Sequence, residues 1–246
     1  MDDRRKVLIL GGTREARELA LMLSADPRFS VVTSLAGATN QPAEISGEVR
    51  RGGFGGVDGL VDYLRMNRVK ILVDATHPFA GNISQNAAEA CKGADVERLT
   101  VLRPPWLPVL GDRWIKVSDV SEAANCLSEI GSRIFLTIGR QEIKAFEVCR
   151  DNWFLIRTID PPEKPFALPS CEVLLARGPF EVDAEMRLFS SYEIEGVVAK
   201  NSGGSDTYAK IEAARAMNLP VVIIDRPPAP SGLTVADAEA AYQQIA

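Results

Sequence analysis

Residues that build disulfide frameworks and metal sites are scarce in this chain. Its 246 residues include a single histidine and four cysteines, which are scattered without a C-x-x-C pair. That composition disfavours a structural zinc site, and we expect no bound metal. We expect the cysteines to be reduced, buried thiols of a cytoplasmic protein.

The sequence also lacks a positive charge excess and a long apolar run. With 28 Lys and Arg against 33 Asp and Glu, the formal net charge is −5, so we expect no nucleic-acid partner. Any anion site must therefore be local. No apolar run reaches the length of a membrane-spanning helix, and we expect no membrane partner. The apolar share of 46% and the charged share of 25% are ordinary for a globular protein of one or two domains.

What the chain does contain is an alternation of short apolar runs with helical patterns, which is typical of parallel α/β sheets. Residues 103–114 interrupt it with three prolines and two tryptophans and indicate a crossover, so we divide the chain into domains 1–112 and 113–246. The predicted strands are 6–10, 30–35, 48–51, 70–74, 98–102, 133–137, 153–158, 172–176, 196–200 and 220–224. The predicted helices are 14–24, 57–67, 80–91, 121–130, 141–149, 181–190, 206–217 and 235–245.

The first strand leads into the sequence "GGTREA". Parallel sheets bind ligands at the carboxyl ends of their strands, because the following helix presents N–H groups there. Gly11, Gly12 and Thr13 match the dinucleotide fingerprint in the reduced form G-x-T-x-x-A, with Ala16 as the small helix residue. The fingerprint is weak alone, and a simple tight turn explains it equally well.

Two more strand ends in the first half carry loops of interest. "DATHPFA" places Thr76 and His77 after a buried strand, at the same edge of the sheet as Gly11. "GGFGG" surrounds Phe54 with glycines, where backbone can approach a flat ligand closely. Each loop alone has a structural explanation, such as a helix cap or a positive φ. Three such loops at one edge favour a cofactor crevice.

Cations follow several strands of the second half. Most basic side chains are simply solvated, but these come directly after predicted core strands. Cations gathered at one edge of a sheet in an acidic protein favour a polyanionic small ligand. They are Arg140, Arg177, Lys200 and Arg226.

Motifs from end to end of the chain resemble the precorrin-6A reductase family. They are, in order, "LILGGTREAR", "SLAG", "GGFGGVDGL", "DATHPFA", "LTIGRQE", "ARGPF", "KNSGG" and "LPVVIIDRP". The resemblance implies an α/β fold of two Rossmann-like domains with a ligand cleft between them. It further implies NADPH-dependent reduction of one double bond of the precorrin-6A macrocycle, giving precorrin-6B in cobalamin biosynthesis. That tetrapyrrole carries many carboxylates, in agreement with the cations.

The resemblance also implies residue roles. In the NADPH-binding domain, the cofactor would contact Gly11, Gly12, Thr13, Ser34, Gly37, Phe54, Gly55 and Thr76. In the second domain, the substrate carboxylates would contact Arg140, Arg177, Lys200 and Ser202. His77 is the one side chain that ordinarily titrates near neutral pH, so it is the candidate for the catalytic proton. Water or a substrate carboxyl is an equal alternative.

One position departs from the family. Its members commonly read "SLAGRT", with a cation for the 2′-phosphate, where this chain has Ala38. No acidic residue stands between Val31 and Gln41, where an NAD-specific fold places a carboxylate. We therefore still expect NADPH, with Arg50 or Arg51 as the nearest cation.

Other functions stay open at this point. A non-catalytic NADP-binding or redox-sensing module would not need the cations of the second half. A short-chain reductase is disfavoured, because Tyr63 is followed at the required spacing by Asn67 and not by lysine. The resemblance leaves room for a cobalt-precorrin-6A reductase of the anaerobic route. For partners we expect the tetrapyrrole, and a monomer in transient contact with neighbouring pathway enzymes.

Overall fold

The computed structural model describes residues 4–37 and 44–246 and forms two compact units. Unit 1 consists of Met1–Pro104 together with Pro227–Ala246, and unit 2 of Pro105–Arg226. The chain therefore leaves unit 1 after Pro104 and returns to it at Pro227. The predicted division at residue 112 assigned the C-terminal segment to the second domain, and the structure corrects it.

Twelve strands and seven α-helices follow each other along the described residues. The strands are β1 (Arg5–Leu10), β2 (Phe29–Leu35), β3 (Glu48–Arg51), β4 (Ile71–Asp74), β5 (Glu97–Val101), β6 (Trp114–Val117), β7 (Arg133–Thr137), β8 (Trp153–Thr158), β9 (Cys171–Leu175), β10 (Gly196–Lys200), β11 (Val221–Ile224) and β12 (Leu233–Val235). The α-helices are α1 (Arg14–Ala25), α2 (Gly56–Met66), α3 (Gly81–Ala94), α4 (Val120–Asn125), α5 (Val182–Ser191), α6 (Ala209–Ala216) and α7 (Ala238–Ile245). Short 3-10 helices lie at Leu127–Glu129 and Arg140–Phe146.

Unit 1 is a six-stranded parallel sheet in the order β12-β5-β4-β1-β2-β3. Successive side chains of a strand point to opposite faces, and both faces of β1 are buried. Val7 and Ile9 pack with residues of α1 and α7, whereas Leu8 and Leu10 pack with residues of α2 and α3. Helices on both faces are what a Rossmann-like sheet requires.

Unit 2 is a second six-stranded parallel sheet, in the order β6-β11-β10-β7-β8-β9. One of its cores joins Phe135 of β7, Phe189 of α5 and Ile211 of α6, all of them fully buried. The rings of Phe135 and Phe189 meet edge to face, with 5.3 Å between their centroids. Two parallel α/β sheets confirm the predicted fold class.

Every predicted strand is present with bounds within one residue, but β6 and β12 were not predicted. β12 pairs with β5, and α7 packs on α1, which explains why the C-terminal segment belongs to unit 1. The predicted helix 235–245 therefore begins later, at Ala238. The predicted helix 141–149 is a 3-10 helix at Arg140–Phe146. The predicted helix 121–130 is divided, because α4 ends at Asn125 and the 3-10 helix Leu127–Glu129 follows it.

No helix within the described part of the chain is long and apolar enough to span a membrane. Of the cysteines, Cys91 is buried and the other three are half-buried, so the expectation of buried thiols holds fully for one. Burial raises the pKa of Cys91 to about 12, which keeps its thiol protonated at neutral pH.

The C-terminal helix should be required for the stability of unit 1. Ala241 of α7 is fully buried in the core with α1, so Ala241→Glu places an unpaired carboxylate there. We expect the free energy of unfolding, measured by urea denaturation, to fall by more than about 2 kcal/mol. Gln244→Glu adds the same charge at an exposed position of α7 and should change it by less than about 0.5 kcal/mol. Equal stability of the two variants would contradict the docking of α7.

Candidate functional site

The turn between β1 and α1 needs both of its glycines. The N–H of Gly11 donates to the carbonyl of Ser34 at 2.9 Å, and a Cβ on Gly11 would lie only 2.9 Å from Cγ2 of Thr33. Gly12 has a φ of +121°, which residues with a side chain rarely adopt. Apart from its chain neighbours, no described residue has an atom within 4 Å of the position that its Cβ would take, so the backbone is open to a ligand there.

Thr13 connects this turn to the loop after β4. Its Oγ1 accepts from the N–H of Ala16 at 3.2 Å, as the N-cap of α1, and donates to the carbonyl of Ala75 at 2.7 Å. The hydroxyl is thus engaged in the fold. A diphosphate at this turn would have to use the N–H groups of the first helical turn, which have no partner within the helix.

An ion pair that the sequence analysis missed lies at the start of α1. Arg103 Nη1 is 2.9 Å from Glu15 Oε2, and both side chains are largely buried. Glu15 would repel a phosphate at the glycine turn, and the guanidinium offsets its charge. Arg103 comes shortly after β5, and its position near a strand end was the available signal.

Arg50 and Ser34 meet where β2 and β3 end. Arg50 donates from Nη1 to Ser34 Oγ at 3.0 Å and to the carbonyl of Gly52 at 2.6 Å, and from Nη2 to the carbonyl of Gly53 at 2.7 Å. Its guanidinium also stacks on Phe54, with Cζ 3.8 Å from the ring centroid. These contacts hold one cation firmly at the edge of the sheet.

The remaining described positions of this edge that were predicted to contact the cofactor are two glycines. Gly37, after β2, and Gly55, which precedes α2, both have a φ of +80°. Ala38 lies outside the residues that the structure describes. Its neighbours Thr39 and Asn40 lie outside them as well.

The loop after β4 is organised around Asp74. The N–H and Oγ1 of Thr76 donate to Asp74 Oδ1 at 3.2 and 2.7 Å. His77 is exposed, and its Nδ1 accepts from the N–H of Phe79 at 3.3 Å. Asp74, Thr76, His77 and Ser84 line one recess of unit 1.

The predicted substrate residues of unit 2 follow β7, β9 and β10, at one edge of its sheet. Lys200 forms an ion pair with Glu142, so its positive charge is offset within the unit. Arg140 Nη1 donates to the carbonyl of Pro161 at 3.0 Å, and Arg177 is exposed. Ser202 is buried, and its N–H donates to the carbonyl of Lys200 at 2.7 Å.

Asn201 fixes the loop that contains Ser202. Its Oδ1 accepts from the N–H of Trp106 at 2.8 Å, and its Nδ2 donates to the Trp106 carbonyl at 3.2 Å. Trp106 Nε1 in turn donates to the carbonyl of Gly204 at 2.7 Å. Arg226 Nε donates to the carbonyl of Asn201 at 2.7 Å. The sequence analysis placed Asn201 at a strand end but did not identify this bracing role.

Three ionisable side chains of unit 2, those of Arg157, Glu185 and Lys210, are buried. Arg157 and Glu185 form a two-bonded pair at 2.6 and 2.9 Å, and Lys210 Nζ donates to the carbonyl of Thr207 at 2.7 Å. Burial lowers the pKa of Lys210 to about 7; Arg157 lowers it further, whereas Glu185 raises it. The cluster holds two positive groups against one carboxylate, which favours the neutral amine.

Comparisons with known proteins match nearly the whole chain to one family. A family model described as Precorrin-6x reductase CbiJ/CobK matches residues 6–246. The precorrin-6A reductase of Rhodococcus erythropolis is 47% identical over 232 residues, which are 94% of this chain and 93% of that protein. The precorrin-6A reductase of Sinorhizobium sp is 45% identical over 244 residues, covering 99% and 94%. A solved structure, described as CobK precorrin-6A reductase, is 43% identical, with a TM-score of 0.92 and coverage of 98% and 95%.

The fold and the loops of unit 1 define a Rossmann-like α/β oxidoreductase. The chain belongs to the precorrin-6A reductase family, whose members act in cobalamin biosynthesis. Reductases of this family use a reduced nicotinamide cofactor. Neither a binding module without activity nor a cobalt-precorrin-6A reductase is favoured by these relatives.

The neutral amine of Lys210 should appear in the pH dependence of stability. A lysine in the unfolded chain keeps a pKa near 10.5, so between about pH 7 and 10 the unfolded state binds more protons. Stability from this group therefore rises with pH in that window, by up to about 1.4 kcal/mol per pH unit. Lys210→Met should lose this rise in chemical unfolding at pH 7 to 9.

Lys144→Met is the matched control, since Lys144 is exposed on the same unit. Its pH dependence should equal that of the unsubstituted protein. Parallel pH profiles for Lys210→Met and the unsubstituted protein would contradict the neutral state of Lys210.

Proposed function

We propose that this protein reduces precorrin-6A to precorrin-6B with NADPH, converting NADPH and a proton to NADP⁺ as one macrocycle double bond is saturated. The observation that carries the proposal is the edge of unit 1, where the glycine turn, the held guanidinium of Arg50 and the Asp74 loop follow neighbouring strands. This edge fits a dinucleotide: the backbone is open at Gly12, and Asp74 Oδ2 is buried without a hydrogen-bond partner among the described residues.

The cofactor roles follow from the order of the strands. A dinucleotide lies across the carboxyl ends, with its diphosphate at the first helix and its two halves on either side. We assign the diphosphate to Gly11, Gly12 and Thr13 through their backbone. The adenosine half falls to the β2 and β3 side, which carries Ser34, Gly37, Phe54 and Gly55, and the nicotinamide half to the β4 side with Thr76.

Arg50 supports NADPH over NADH. Ser34 is the last but one residue of β2, where the adenosine ribose is expected, and Arg50 already donates to its hydroxyl. A guanidinium held at that distance can also pair with a phosphate on the ribose 2′-oxygen. Arg50 thereby supplies the cation that Ala38 does not.

Substitution of Arg50 tests the cofactor preference. Arg50→Ala removes one charge-assisted contact, so kcat/KM for NADPH should fall by about 10- to 100-fold while that for NADH changes little. Arg51 is the exposed neighbour on the opposite side of β3. Arg51→Ala should therefore leave the ratio of kcat/KM for NADPH to kcat/KM for NADH unchanged. A wild-type preference for NADH would overturn the assignment of NADPH.

The cations of unit 2 support a polycarboxylate substrate. Arg140, Arg177, Lys200 and Ser202 lie at or after the ends of strands of one parallel sheet, and Asn201 fixes the loop that contains Ser202. Glu142 offsets the charge of Lys200, and Arg140 and Arg177 add two guanidinium groups, whose planar geometry suits carboxylates.

The chemistry divides between cofactor and protein. A bound NADPH supplies the hydride for the double bond. The protein must orient the two partners, exclude water and provide a proton for the neighbouring carbon. His77 is our candidate for that proton, delivered from Nε2, since Nδ1 is occupied by the Phe79 N–H. The purified protein mixed with precorrin-6A and NADPH should show the spectral change of the reduced macrocycle, and no change relative to a mixture without the protein would refute the activity.

Arg177→Ala separates the substrate site from the cofactor site. We expect the KM for precorrin-6A to rise by about 10-fold, as one partly exposed charge-assisted contact is lost, with the Kd of NADPH unchanged. Arg187→Ala removes an equally exposed cation from α5, away from the strand ends, and should leave both constants unchanged. An equal loss of affinity for precorrin-6A and for NADPH in Arg177→Ala would contradict the assignment of Arg177 to the substrate site.

The monomeric state, transient contact with pathway enzymes and the cytoplasmic location stay predictions from the sequence. A further prediction is that no metal takes part. Among the described residues, no group of three metal-ligating side chains lies together.

A further inference from the structure

A carboxylate oxygen of Asp74 has no partner in unit 1. Asp74 ends β4, between Leu10 of β1 and Thr100 of β5, and is only 2% exposed. Both bonds from Thr76 go to Oδ1, and Oδ2 receives no hydrogen bond from any described residue. A buried acceptor left unpaired destabilises a fold, and a charged one does so more strongly. Such an atom requires an explanation.

The groups that line the recess next to Asp74 do not supply the missing bond. One wall is the segment 227–230, in which three of four residues are prolines and therefore have no N–H. Thr100 Oγ1 accepts a bond from Arg98 Nη1 at 2.9 Å. Asp74 is the one acidic residue among those that line the recess. A hydrogen-bond donor of a ligand that enters the recess therefore meets one carboxylate, that of Asp74.

The opposite side of the recess offers hydrogen-bond donors. Ser84 lies in the first turn of α3, and its Oγ is 3.4 Å from Thr76 Oγ1. Gly81, the first residue of that helix, also lines the recess. The N–H groups of a first helical turn have no partner within the helix and carry partial positive charge. The recess therefore presents a strong acceptor on one side and donors on the other.

A primary carboxamide matches both sides at once. Its NH₂ group donates and its carbonyl accepts, whereas a carboxylate would be repelled by Asp74 and an ammonium would oppose the helix N-terminus. The recess lies on the β4 and β5 side of the glycine turn, where the proposed function puts the nicotinamide half of NADPH. Nicotinamide carries a primary carboxamide on its ring.

We propose that Asp74 recognises the carboxamide N–H of the nicotinamide ring and thereby fixes which face of the ring is presented. Asp74 Oδ2 accepts from the NH₂ group, and Ser84 donates to the carbonyl. This inference rests on the proposed function. It assigns Asp74 a specificity role that neither Thr76 nor His77 supplies.

Binding, measured by calorimetry without substrate, tests the role of Asp74. The probes are NADP⁺ and its 3-acetylpyridine analogue, in which a methyl group replaces the NH₂. We expect the unsubstituted protein to bind NADP⁺ about 10- to 100-fold more tightly, the effect of one hydrogen bond to a charged group. Equal affinity for the two probes would overturn the proposal whether or not any variant folds.

Asp74→Asn should abolish this discrimination. Its amide oxygen will face the two donors of Thr76, so its NH₂ group replaces Oδ2 and presents a donor to a donor. The affinity for adenosine 2′,5′-bisphosphate, which lacks nicotinamide, should stay unchanged. A variant that keeps the wild-type ratio would overturn the role of Asp74.

Two further variants separate this role from a general loss of packing. Ser84→Ala should weaken both probes equally, because both retain the carbonyl. Trp114→Phe removes another buried polar atom without a partner among the described residues, in unit 2 and not in unit 1, and should change neither affinity. Failure of the unsubstituted protein to bind NADP⁺ would refute the cofactor assignment itself. If the protein reduces precorrin-6A with NADPH but binds NADP⁺ and the 3-acetylpyridine analogue equally well, only the proposed role of Asp74 is refuted.

Discussion

Parallel pairing of the strands is the constraint on which both units depend. It aligns the carboxyl ends of all strands at one edge, and the register decides which loops start level with each other. In unit 1 that register sets Leu10 opposite both Ser34 and Asp74. The glycine turn, the Arg50 cluster and the Asp74 loop therefore begin at one edge of the sheet although they are far apart in the sequence, as Thr13 and Ala75 are by 62 residues. Thr13 adds a direct bond across this edge to the carbonyl of Ala75.

The same constraint explains which strands the sequence reveals. A parallel strand covered by helices on both faces is apolar along its whole length, as in Val7–Leu10 and Val221–Ile224, and such runs are visible without a structure. β6 and β12 lie at the edges of their sheets, where one side has no neighbour. β6 includes an exposed lysine, and β12 has only three residues, two of them exposed. Neither leaves an apolar run long enough to predict.

Backbone features of the site were predictable, and side-chain partners were not. The turn at Gly11 and Gly12 follows from chain order, as do the strand-end positions of the cations. The Arg103–Glu15 pair joins residues 88 apart, and it depends on how β5 and α1 are placed by the sheet. Lys200 was expected to attract a ligand, yet Glu142 shares its charge. The sequence gives the number and position of charged residues, but only the three-dimensional structure shows which of them pair with each other.

The return of the chain gives the two units different folding requirements. Unit 2 is continuous, so all of its strands are available once Arg226 has been synthesised. Unit 1 still lacks β12, α7 and the proline wall of the Asp74 recess at that point, because these come from Pro227–Ala246. Closing that long loop costs conformational entropy that unit 2 does not have to offset. Formation of the recess is therefore coupled to docking of the C-terminal segment, which joins the proposed nicotinamide contacts to the completion of the fold.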